Sequence, residues 1–105
     1  MYLQTENEYE KKELVWDGNF DFVHRIYYLL IEKDKNYSKD YPYLDGIDMY
    51  DDTVFNSIQT QKLIEELKTL CDIHIDNEED KERIDNLIEF LSGVSSGTFV
   101  RVVGD

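Results

Sequence analysis

A chain of 105 residues with 24 acidic and 11 basic side chains has a net charge of −13, which repels nucleic acids and anionic membranes and attracts basic proteins. Its length predicts a single domain, residues 1–105, and its hydrophobic content of 41% predicts a folded core. No apolar run approaches the roughly 20 residues of a membrane span. A lone cysteine, Cys71, and an N-terminus without an apolar segment predict a cytoplasmic protein with no disulfide and no signal peptide.

The N-terminal part of the chain contains a short strand signal. Residues 1–8 have little pattern and are predicted to fray. The apolar run Leu14–Trp16 is followed by an Asp-Gly pair, which is typical of a strand that ends in a turn. We therefore predict the first strand at Leu14–Trp16.

The next segment predicts an amphipathic helix. Apolar residues recur three and four positions apart from Phe20 to Leu30, and the pattern ends near Lys33. Asp17 or Asn19 is the predicted N-cap, because a short polar side chain can accept hydrogen bonds from the first free backbone N–H groups. The β-branched and aromatic residues of VHRIYYLLI leave a strand as the alternative.

A segment rich in aspartate and tyrosine, KDKNYSKDYPYLDGIDMYDD, occupies residues 33–52 and contains no periodic element. Pro42 and Gly46 interrupt it, so a long loop is predicted. Its tyrosines and aliphatic side chains predict that this loop is ordered, because disordered segments are poor in such residues. The following residues, Thr53–Phe55, are predicted to form a short extended segment or a turn.

Two further helices are predicted downstream. The first has Thr60 as its predicted N-cap and an apolar face formed by Leu63, Ile64, Leu67, Leu70 and Cys71. A linker begins at Asp72 and is closed by Asn77, the predicted N-cap of the second helix, which ends before Gly93. The buried stripe of this second helix is predicted to consist of Ile84, Leu87, Ile88 and Leu91.

The C-terminal segment GTFVRVVGD is rich in β-branched residues and predicts a strand at Thr98–Val103. A strand needs a pairing partner, and Leu14–Trp16 is its predicted neighbour. Together these elements predict an α+β fold, in which a small sheet formed near both termini packs against two or three helices.

The sequence contains no recognisable metal-binding motif and no recognisable catalytic motif. An EF-hand loop that starts at Asp17 or Asp45 would lack both the required glycine and the final glutamate. Two distant histidines, His24 and His74, with one cysteine cannot form a four-ligand zinc site, and Cys71 is predicted to be an inert buried thiol. We predict no enzymatic activity, no metal and no cofactor. A small metal-dependent hydrolase that uses the aspartate-rich loop is the alternative.

The segment YPYLDGIDMYDDTVFN, residues 41–56, is the predicted partner-binding site, and we call it the acidic loop. Its four aspartates can pair with Lys or Arg of a partner, and its tyrosines can add contact area. The predicted binding residues are Asp45, Asp48, Asp51, Asp52, Tyr43 and Tyr50. The alternative is that the apolar side chains hold the loop on the core and that Asp51 and Asp52 cap the next segment. A second acidic region lies at Asp72–Asp85.

The run YPYLDGIDMYDDTVFNSIQTQKLIEELKTL, together with the C-terminal GD, resembles a group of small acidic bacterial proteins of unassigned function. The resemblance covers residues 41–70 and 98–105, and Asp51 departs from it because the relatives tend to have glycine there. Proteins of this kind look most like immunity proteins of bacterial toxin systems. The shared positions are Asp48, Tyr50, 52–56, Gln59, Leu63, Glu66, Leu67 and Leu70.

The predicted function follows from this resemblance and from the charge. We expect a binding protein that inhibits a basic protein partner, a toxin or a nuclease, by presenting carboxylates in place of nucleic-acid phosphate. A phage-encoded nucleic-acid mimic that inhibits a host defence nuclease is one alternative, and an assembly subunit with a basic partner is another. Nucleic acid and membrane are not expected as partners.

Overall fold

The computed structural model describes residues 1–6, 14–16 and 20–104, and these residues form an α+β fold. A four-stranded antiparallel sheet with strands from near both termini packs against helices, which confirms the predicted fold class. The described part of the chain contains five helices rather than two or three, because two single turns accompany the three long ones. The elements are β1 (Tyr2–Glu6), β2 (Val15–Trp16), α1 (Asp21–Lys33), α2 (Tyr37–Asp40), α3 (Pro42–Asp45), β3 (Thr53–Phe55), α4 (Ser57–His74), α5 (Glu78–Ser92) and β4 (Phe99–Val103).

The strand order in the sheet is β2-β1-β4-β3, which differs from the predicted pairing. β1 lies between β2 and β4, so the predicted contact between Leu14–Trp16 and the last strand is wrong. β2 pairs with β1 through only two residue pairs, whereas β1 and β4 pair along five. The longer ladder forms more backbone hydrogen bonds, and it places the two ends of the chain side by side in the middle of the sheet.

The beginning of the chain is an inner strand, so the prediction that residues 1–8 fray is wrong for residues 1–6; residues 7 and 8 lie outside the described residues. Leu3 and Thr5 are buried on the side of the sheet that packs against the core. Their neighbours along the strand are less buried, which is the alternation expected of a sheet with one covered face. The pattern is concealed in the sequence because the buried Thr5 is polar and the exposed Tyr2 is aromatic.

α1 is a helix, as predicted, and the strand alternative for this segment is wrong. It begins at Asp21 and ends at Lys33, and its buried face consists of Phe22, Val23, His24, Tyr27 and Leu30. The predicted N-caps Asp17 and Asn19, and the predicted Asp-Gly turn, lie outside the described residues. No helix in the described parts of the chain combines the length and the apolar character that a membrane crossing requires.

α4 begins earlier than predicted, because Asn56 and not Thr60 is its N-cap. The Asn56 side chain accepts a hydrogen bond from the Gln59 backbone N–H (2.9 Å), and the Gln59 side chain accepts one from the Asn56 N–H (2.9 Å). This reciprocal capping box satisfies two otherwise free donors. Thr60 lies inside the helix, where its hydroxyl donates to the Asn56 carbonyl oxygen (2.8 Å). The predicted apolar face of Leu63, Ile64, Leu67, Leu70 and Cys71 is buried.

The two long C-terminal helices pack against each other, and the linker between them is shorter than predicted. α4 continues to His74, so only residues 75–77 connect it to α5. Asn77 caps α5 as predicted, since its side chain accepts hydrogen bonds from the N–H groups of Glu79 (2.9 Å) and Asp80 (3.2 Å). Gly93 follows α5 as predicted. Ile84, Leu87 and Leu91 are buried, and Ile88 is partly buried against the same core.

Candidate partner-binding loop

The segment of residues 33–52 contains two short helical turns, so the prediction that it has no periodic element is wrong, and the second turn lies in the acidic loop. α2 and α3 each form one turn, and Pro42 occupies the first position of α3, where its missing N–H and restricted φ fit a helix start. Tyr41 is buried and packs edge-on against Tyr27 (6.2 Å between ring centroids) and His74 (6.3 Å). The loop is therefore fixed on the helices by its own aromatic side chain.

A buried glutamate on α4 holds the start of α3. The Glu66 side chain is only 8% exposed, and its carboxylate accepts hydrogen bonds from the backbone N–H groups of Tyr43 (3.1 Å) and Leu44 (3.0 Å). Burial raises the pKa of Glu66, and the two backbone hydrogen bonds oppose this increase by stabilising the charged form. Glu66 was not predicted as a site residue, although its position three residues after Leu63 on the apolar face was a usable signal.

Asp45, one of the six predicted binding residues, is partly engaged within the molecule. Its Oδ1 accepts a hydrogen bond from the buried Tyr27 hydroxyl (2.8 Å). Burial, together with this carboxylate, raises the pKa of Tyr27 far above its ordinary value, so the hydroxyl remains a donor at any physiological pH. Asp45 is itself exposed, and its Oδ2 has no hydrogen-bond partner among the described residues.

The turn that follows presents Asp48, Tyr50 and Asp51 to solvent. Asp48 Oδ1 accepts a hydrogen bond from the Tyr50 N–H (2.8 Å), and Asp51 Oδ1 accepts one from the Asp52 N–H (2.8 Å). These local bonds shape the turn, as aspartate side chains commonly do. Both carboxylates remain exposed, and Tyr50 is 79% exposed. Among the described residues, no basic side chain pairs with Asp48 or Asp51.

Asp52 and Tyr43 make contacts within the fold. The Arg101 guanidinium on β4 binds Asp52 Oδ2 (3.2 Å) and both carboxylate oxygens of Glu6 on β1. This pairing lowers the pKa of Glu6 and raises that of Arg101. Tyr43 is half-buried and packs beside Phe55 (6.3 Å between ring centroids). Of the six predicted residues, Asp45, Asp48, Asp51 and Tyr50 therefore present the most available surface.

Gly104 closes the acidic loop against the sheet. Its N–H donates to Asp52 Oδ1 (3.1 Å), and a Cβ atom at this position would overlap the backbone of Asp51. We expect Gly104→Ala to lower the free energy of unfolding by about 1–3 kcal/mol, because the backbone on one side must shift. Gly93→Ala is the matched control, since a Cβ there makes ordinary contacts at 3.6 Å. Urea denaturation of both variants measures the difference, and equal stability of the two would contradict the close approach.

A groove runs between α1 and the acidic loop, with a cavity volume of about 560 Å³. The two exposed tyrosines on its walls come from separate parts of the chain, Tyr28 from α1 and Tyr50 from the loop. Asp45 and Asp48 line the same groove. The full lining is Tyr28, Asp45, Gly46, Ile47, Asp48, Met49 and Tyr50. Tyr28 was not predicted as a site residue, because nothing in the sequence relates it to a loop twenty residues away.

The described residues contain no group of three or more His, Cys, Asp or Glu side chains placed to hold a metal ion. Cys71 is buried on α4, and burial raises the pKa of its thiol, which keeps it protonated and weakly nucleophilic. His24 is buried on α1, and burial lowers its pKa. The prediction that the protein is not an enzyme stays a prediction.

Searches of protein-family models, of curated proteins and of solved structures find no match to this chain. The resemblance to small immunity-like bacterial proteins therefore stays a prediction that rests on the sequence.

Proposed function

We propose that this protein binds and inhibits a basic protein partner through the acidic loop, as an immunity protein of a bacterial toxin system does. The observation that carries the proposal is the turn at Asp48 to Asp51, which exposes Tyr50 and two carboxylates that form no salt bridge among the described residues. Unpaired exposed carboxylates beside an exposed tyrosine are a favourable surface for Lys and Arg side chains.

The anchoring of the loop supports the same proposal. A loop that is already ordered loses little conformational entropy when it binds, so more of the contact energy contributes to affinity. Tyr41, the Glu66 hydrogen bonds and the Asp52–Arg101 pair hold the loop at three points of the fold. The exposed side chains between these points are thus presented on a fixed backbone.

The net charge of −13 adds a long-range contribution to the proposed binding. A field of this size increases the rate of encounter with a cationic surface and disfavours encounter with nucleic acid. A toxin or nuclease with a basic active site matches both properties. We propose that the protein meets this partner in the cytoplasm. If the captured partner is instead a phage-restricting nuclease of the host, the same surface would act as a nucleic-acid mimic.

The deciding experiment compares charge reversal on two acidic surfaces. The loop variant is Asp48→Lys with Asp51→Lys, and the control is Glu82→Lys with Asp85→Lys, which changes the net charge equally but lies in the Asp72–Asp85 region. A partner captured from host extract with the wild type is purified, and its association with each variant is measured at several salt concentrations. We expect the loop variant to associate about tenfold more slowly and with a weaker dependence on salt, while circular dichroism shows both variants folded.

Equal association of the loop variant and the wild type would refute the assignment of the acidic loop. If the control variant slows association more than the loop variant does, the partner binds at Asp72–Asp85 instead. Tyr50→Ala distinguishes the effect of contact area from that of long-range electrostatic attraction, because it removes contact area without changing the charge. For this variant we expect dissociation to become roughly tenfold faster while the association rate stays near that of the wild type.

A further inference from the structure

The groove between α1 and the acidic loop has features of a side-chain binding site. Its volume of about 560 Å³ exceeds what a single side chain fills, so a side chain can enter together with part of its backbone. Tyr28 is 54% exposed and Tyr50 is 79% exposed, and both line the groove. Exposed aromatic rings on a concave surface offer flat faces to a planar or cationic group.

Two aspartates that line the groove, Asp45 and Asp48, each have one carboxylate oxygen that the fold does not use. Asp45 Oδ1 accepts the Tyr27 hydroxyl hydrogen bond, and Asp48 Oδ1 accepts the Tyr50 N–H hydrogen bond. The second oxygen of each carboxylate has no hydrogen-bond partner among the described residues, and neither aspartate forms a salt bridge there. Because the first oxygen is held in each case, the orientation of the second is set before any ligand arrives.

A buried histidine lies directly behind the groove wall. The His24 ring packs against the ring of Tyr28, a lining residue, with 4.6 Å between the two centroids. Its Nδ1 is buried and has no partner among the described residues. Since burial lowers the pKa of His24, the ring is neutral at pH 7 and does not compensate the carboxylates in front of it.

We infer that this groove binds an arginine side chain of the protein partner, an inference that rests on the proposed function. The guanidinium group is planar and stacks on tyrosine rings, and its fixed N–H donors can reach two carboxylates at once. A lysine ammonium is more strongly hydrated and lacks the flat face, so it fits the same walls less well. The charge of the groove and the shape of its walls thus favour arginine over lysine.

The test uses a defined probe, the acetylated and amidated tripeptide Gly-Arg-Gly, titrated into the protein and followed by NMR. We expect weak but saturable binding, with the largest chemical-shift changes at Tyr28, Asp48 and Tyr50. The corresponding lysine peptide should bind at least about threefold more weakly, and a peptide with citrulline, the uncharged analogue of arginine, should not saturate. Absence of binding by the arginine peptide, or shift changes confined to another surface, would overturn the inference.

Two variants of α1 provide the structural control. Tyr28→Ala should weaken binding of the arginine peptide about fivefold, whereas Tyr28→Phe should retain it because the ring is kept. Leu29→Ala is the matched control, since Leu29 is the next residue, is also 54% exposed and does not line the groove. Unchanged binding by Tyr28→Ala, or an equal loss in Leu29→Ala, would show that the aromatic wall is not the binding site.

The same variants separate failure of this inference from failure of the proposed function. If the partner binds the Asp48→Lys, Asp51→Lys variant as well as it binds the wild type, the proposed function fails. If that variant loses the partner while Tyr28→Ala retains it fully, the acidic loop binds the partner and the groove does not receive an arginine.

Discussion

Replacement of Leu67 by alanine is expected to lower the free energy of unfolding by about 2–5 kcal/mol. Leu67 is fully buried in the middle of α4 and belongs to the core that unites the helices with the sheet. The variant loses the transfer free energy of the deleted atoms and leaves a cavity, because neighbours from several elements cannot all collapse into it. A domain of this size has a total stability of about 5–15 kcal/mol, so the loss is a large share of it.

Urea denaturation followed by circular dichroism measures this loss, and Lys68→Ala is the matched control. Lys68 is the next residue on the same helix and is exposed, so its replacement should change the stability by less than about 0.5 kcal/mol. A Leu67→Ala variant as stable as this control would show that the apolar stripe of α4 is not part of the core.

The second large effect is expected at Glu66. In Glu66→Ala the backbone N–H groups of Tyr43 and Leu44 lose their acceptor. An unsatisfied buried donor costs about 1–3 kcal/mol, so we expect a total loss of about 2–4 kcal/mol. Glu65→Ala is the matched control, because Glu65 is an exposed neighbour whose contact with Lys62 (4.0 Å) lies on the surface. Equal stability of these two variants, measured by urea denaturation, would contradict a structural role for the buried carboxylate.

The raised pKa of Glu66 predicts the pH dependence of this contribution. The folded protein binds the Glu66 proton more tightly than the unfolded chain does, so acidification favours the folded state through this group. The contribution of the Glu66 titration to the free energy of unfolding therefore increases as the pH falls from neutral through the raised pKa of the folded state. It is complete once the pH is below the ordinary glutamate pKa of about 4.3, which applies to the unfolded chain. Glu66→Gln does not titrate and keeps the shape, so the stability of the wild type relative to this variant should be greater at pH 5 than at pH 7. If the stability difference between the wild type and Glu66→Gln stays constant or becomes smaller at low pH, the pKa of Glu66 is not raised in the folded state.

The helices were predictable because their signals are local. The apolar spacing from Leu63 to Cys71 and from Ile84 to Leu91 places each stripe on one face whatever the helix packs against. The cap at Asn77 is equally local, since it depends on backbone groups within three residues. The cap of α4 was misplaced because both Asn56 and Thr60 are suitable residue types, and only the backbone conformation distinguishes them.

The sheet order and the anchoring of the loop were not predictable, because they depend on residues far apart in the chain. The pairing of β1 with β4 brings together residues almost a hundred positions apart, and the Glu6–Arg101 contact depends on that pairing. In the same way, Glu66 lies more than twenty positions from the backbone groups that it binds. A charged residue in an apolar stripe signals a buried partner but does not identify it.

The sequence by itself determined the α+β class, the faces of the helices and the excess of negative charge, since each follows from composition or from spacing within one turn or strand. It also located the acidic loop, whereas the exposed turn at Asp48 to Asp51 is visible only in the structure. Tertiary structure alone decided which loop carboxylates are already paired, because Arg101 and Tyr27 reach Asp52 and Asp45 from other elements. It also decided that Tyr28 faces the loop across a groove, since only the packing of α1 against the loop brings those residues together.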